Sequence, residues 1–113
     1  LCPEQKVLLE SDPARARAIA RATLGFYLTA PNYLNNLRRL GFADQDFAGE
    51  GSDRLVDALV AWGDVGAIRE RIQAHWDAGA DHVCVQALVA DPSRGRAADE
   101  TLLAQLAPAA HAA

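Results

Sequence analysis

No methionine occurs in this chain, and its 113 residues include only two cysteines, Cys2 and Cys84. Two thiols are too few for a disulfide framework, so a small cross-linked secreted scaffold is excluded and reduced cysteines are expected. Positive charge is also short: 11 Lys and Arg against 15 Asp and Glu leave a net charge of -4. Without a basic stripe to neutralise phosphates, nucleic acid and anionic membrane surfaces are poor partners. The longest apolar runs span a few residues, far below the ~20 needed to cross a bilayer, and no charged start followed by an apolar block marks a leader. The expectation is a cytoplasmic protein with no membrane partner. The missing methionine, with Leu1 leading straight into a strand-like segment, reads as a piece cut from a longer protein.

What is present is enough apolar material for one folded domain, half of all residues. "QKVLLE" (5–10) carries three contiguous apolar residues, as a strand buried on both faces would. Asp12 and Pro13 then mark a helix start, since a capping carboxylate and a proline at the first turn both suit free N–H groups. Ala16, Ile19, Ala20, Leu24, Tyr27 and Leu28 recur at helical spacing. Pro31 should interrupt that helix, "NYLNNLRRLGF" resumes it, and Gly41 with Phe42 fits a left-handed stop. Residues 43–53, "ADQDFAGEGSD", read as a mobile connection. "DALVAWG" fits a helix running into a short strand. Asp64 caps a helix with the inward stripe Val65, Ile68, Ile72 and Trp76, and Gly79 ends it. "HVCVQAL" alternates as a strand, with Val83 and Val85 on one face and His82, Cys84 and Gln86 on the other. "ADPSRGR" (90–96) is a turn-rich loop; Leu102, Leu103 and Leu106 mark a last helix, and the tail from Pro108 should fray. Alternation of this kind predicts an α/β domain with a parallel sheet.

Four ordered segments, "CPEQKVLLESDPARARAIAR", "PNYLNNLRRLGF", "SDRLVDALVAWGD" and "HWDAGADHVCVQAL", resemble the C-terminal portion of luciferase-like flavin and deazaflavin oxidoreductases. The closest similarity is to the branch that uses coenzyme F-420. The resemblance implies a TIM-type (β/α)8 barrel of which residues 1–113 would carry about the last three βα units, their strands being the sixth, seventh and eighth. Such a barrel needs ~250 residues, so the front half would be supplied elsewhere or by a second copy. It further implies reduced deazaflavin, or alternatively FMN, at the C-terminal mouth, acting on a small organic substrate by hydride transfer or monooxygenation; the piece alone should be inactive. The competing expectation is a non-catalytic α/β binding or assembly module derived from the barrel.

Among the residues, Gln86 lies toward the exit of the last strand, where a polar side chain needs a partner or lines a pocket. Ser11 follows the first strand, Gly63 the second and Arg94 the third; these four are the candidate cofactor or substrate contacts. Ser11 is equally explained as a helix-start residue, Asp64 has the wrong charge for phosphate and reads as a helix cap, and Arg94 would meet an anionic group. His82 and Cys84 share a face, but His75 and His111 offer no recognised ligand spacing, so no metal is expected and Cys84 reads as a small buried hydrophobe. Trp62 and Trp76 read as packing residues, and no catalytic group is identified.

Overall fold

A computed structural model describes residues 2–89 and 99–107. Strand β1 (Glu4–Leu9) buries Val7 and Leu8 completely, as its contiguous apolar run requires. Helix α1 (Pro13–Leu24) has Pro13 in its first turn and buries Ala16, Ala20 and Leu24; Asp12 has the extended backbone of a cap but makes no side-chain capping bond. A 3-10 turn (Tyr27–Thr29) precedes α2 (Pro31–Arg39), where Pro31 opens the new helix. Gly41, at φ 103°, ends it, and the Phe42 N–H returns to the Leu37 carbonyl.

Helix α3 (Asp53–Leu59) runs directly into β2 (Val60–Gly63), so "DALVAWG" is both elements in succession. Ser52 Oγ accepts the Leu55 N–H at 3.1 Å to start α3, and Asp64 Oδ1 accepts the Ala67 N–H at 2.8 Å to start α4 (Val65–Asp77). Strand β3 (Cys84–Leu88) and α5 (Glu100–Leu106) complete the described chain.

The three strands form one parallel sheet in the order β2-β1-β3. Leu8 and Leu88 face one layer with Ala16, Ala20, Leu24 and Val56, which places α1 and α3 there. Val7, Ala61 and Ala87 face the other with Ile68 and Leu102, which places α4 and α5 there. The result is a three-layer α/β/α domain. Two crossovers of the same hand explain it, because β1 to β2 runs outward and β2 to β3 runs back across β1, so their helices fall on opposite faces.

The α/β class and parallel sheet are therefore as expected, but the arrangement differs from three consecutive barrel units. Those would be ordered β1-β2-β3 with every helix on the outer face. Here β1 and β2 are neighbours as consecutive barrel strands are, whereas β3 has taken the other edge of β1. The reason is physical: the central strand gains hydrogen-bonded neighbours on both sides, and its two apolar faces are both covered.

Candidate functional site

Chemistry-bearing side chains gather at the two ends of this sheet. At the carboxyl end, the Glu10 N–H donates to the Gly63 carbonyl at 3.1 Å, tying the exits of β1 and β2 together. Ser11 follows, exposed. Gly63 is buried at φ 140°, and a Cβ there would stand 2.9 Å from that of Ala67. A glycine is thus required where β2 turns into α4, whether or not a ligand approaches. Asp64 spends its carboxylate on the first turn of α4, so those amides already hold an anion. In doubly wound sheets ligands settle outside the carboxyl ends, where strands send their connections to opposite faces. By that criterion β1 borders such a position on either side, because α1 lies on one face and α4 and α5 on the other; Ser11 follows β1, and Arg94 and Arg96, which follow β3 in the sequence, lie outside the described residues.

Gln86 is not among these groups. The register pairs it with Lys6, two residues short of the Leu8–Leu88 row, and it is exposed because β3 is an edge strand. Its solvent contact answers the need for a partner.

The amino end adds Cys2 to the His82 and Cys84 pair, for which the sequence offers no further ligand at a recognised spacing. Cys2 and Cys84 Sγ stand 3.2 Å apart, and the ligand atoms of Cys2, His82 and Cys84 all lie within 4.8 Å of one another. Cys84 is exposed, not a buried hydrophobe, and His82 is exposed beside it. Both precede the length of β3 that the helices cover; burial begins at Ala87. The Cys2 hydrogen bond, then its charge, pushes the Cys84 thiol above its ordinary range. No spacing rule detects this trio, since Cys2 comes from the segment before β1, some eighty residues away.

Two further polar centres are structural. Asp57 accepts two bonds from Arg17, at 3.0 and 2.8 Å, and one from Trp62 Nε1 at 2.9 Å; the Arg17 bonds lead in holding its carboxyl below the usual range. Trp62 is half-buried against the core, but Trp76 is 40% exposed, so its packing role is not realised. Beside the outer edge of β2, Asp57, Val60, Ala61, Trp62, Ala67 and Arg71 line a groove of about 260 Å³. Asp46, only 5% exposed, organises the segment expected to be a mobile loop: it accepts from Ser52 Oγ at 2.7 Å, the Ala43 N–H at 2.9 Å and Arg54 at 3.0 Å.

Compared with known proteins, the chain matches no family model, no curated protein and no solved structure. Among the described residues no helix is long and apolar enough to cross a membrane.

Proposed function

We propose that the chain is the C-terminal portion of a luciferase-like oxidoreductase acting on a small organic substrate with reduced coenzyme F-420, FMN being the alternative cofactor. The observation that supports it is the order of the four family-like segments, joined to a β1–β2 parallel pair whose exits meet at Glu10 and Gly63. The bound cofactor would supply the hydride; this chain's part is to shape the carboxyl end of the barrel. Ser11 offers a hydroxyl there, and Gly63 lets the backbone come close. Since Asp64 occupies the start of α4, the acidic part of the cofactor belongs nearer the β3 exit, where Arg94 is the candidate contact. A cytoplasmic location accompanies this reading.

In the longer barrel β3 would lie against β2, along the edge that borders the 260 Å³ groove, and the fifth strand would take its place on β1. Titrating the protein from the extended reading frame with reduced deazaflavin and with reduced FMN tests the proposal. Saturable binding of either, with five further βα units encoded upstream of Leu1, is the expected result; binding of neither overturns the cofactor assignment.

One observation favours a second reading, a non-catalytic α/β binding or assembly module. The β2-β1-β3 order with helices on both faces buries the sheet without closing a barrel. A cooperative melt of the 113-residue chain with no barrel sequence upstream would select it.

A further inference from the structure

The trio at the amino end of the sheet has the donor chemistry of a metal centre. Cys84 pairs in register with Glu4, and its N–H donates to the Pro3 carbonyl at 2.8 Å. Cys2 lies two residues before β1 and His82 two residues before β3, so the two approaches to this paired end bring them together. Their ligand atoms and that of Cys84 form a triangle with every side within 4.8 Å. We propose that Cys2, His82 and Cys84 bind one soft divalent cation of the zinc class, leaving the fourth position to a solvent or substrate ligand.

The distances favour an ion over a cross-link. With Zn–S ~2.3 Å and Zn–N ~2.0–2.1 Å, a tetrahedral centre holds its two sulfurs about 3.8 Å apart, so the thiols need to separate by about 0.6 Å. A disulfide needs them to close from 3.2 Å to ~2.05 Å, and it gives His82 no part. Two thiolates and an imidazole prefer zinc-like ions to magnesium or calcium, which take oxygen ligands. On binding, the two thiols release two protons to solvent and His82 ligates through its neutral ring. All three side chains are exposed, so an ion reaches them without opening the fold.

This site goes beyond the oxidoreductase reading. It sits at the opposite end of the sheet from Ser11 and Gly63 and rests on the β2-β1-β3 order, so it accompanies the assembly-module reading and would be absent from a closed barrel. Cobalt uptake can therefore fail while flavin binding stands, and the reverse.

The test is a Co²⁺ titration of the reduced 113-residue chain. We expect one ion per chain, thiolate-to-cobalt charge-transfer absorption with the visible bands of a tetrahedral centre, and displacement by Zn²⁺. Cys2→Ser and Cys84→Ser should each weaken binding at least tenfold and reduce the charge-transfer band, and His82→Ala should weaken it comparably. His75→Gln, on α4, should leave the spectrum unchanged. Cys2 is exposed and precedes β1, so its variant tests the site without removing a core group. Absence of the band, a band that survives Cys2→Ser, or half an ion per chain would overturn the proposal.

Discussion

Gly63 combines positive φ with the 2.9 Å approach to Ala67, and both penalise any side chain. Gly63→Ala should cost about 1–3 kcal/mol, read as a lower urea midpoint with an unchanged slope. Asp46 makes a pH-dependent contribution. Its carboxyl is held below the ordinary range, first by Ser52 and then by the Ala43 N–H. A depressed carboxylate stabilises the fold above its unfolded pKa, and that stabilisation is lost as pH falls through the folded value. Asp46→Asn should therefore lower stability at pH 7, and the gap from the parent should narrow under acid, as urea melts at neutral and acidic pH would show. An unchanged gap would remove Asp46 from the acid response.

At the scale of elements, the helices are held by their starts and by one apolar face each. Asp64→Ala removes the side chain that accepts the Ala67 N–H at the first turn of α4 and should cost about 0.5–2 kcal/mol in thermal or urea unfolding. Leu8 is fully buried between α1, α3 and β3, so Leu8→Ala should cost about 2–5 kcal/mol. A smaller loss would mean that the layer containing Ala16 and Ala20 closes over the space.

The whole molecule leaves sheet edges to be managed. The outer edge of β2 pairs with no strand among the described residues, and Phe26 and Leu40 are 79% and 66% exposed on the surface. Open edges and bare aromatics promote association. The sedimentation coefficient of the 113-residue chain should accordingly rise with concentration; a constant monomeric value would show that the edge is protected.

Local chemistry was readable from residue order alone. Pro13, Asp64 and Gly41 mark helix ends because capping and left-handed turns depend on side chains a few positions away. The contiguous Val7, Leu8 and Leu9 read as a strand covered on both faces because one layer cannot bury such a run. Three matters were decided only in three dimensions. Strand order depends on which edge of β1 is free, and no periodicity carries that information. Asp46 became an anchor because Ala43, Ser52 and Arg54 fold around it, although its segment has the composition of a loop. Cys2 meets His82 and Cys84 because parallel pairing joins residues some eighty positions apart. Hydrophobic spacing records which face of an element is covered; the partner that covers it, and the side chains then brought together at the ends, follow from packing the whole chain.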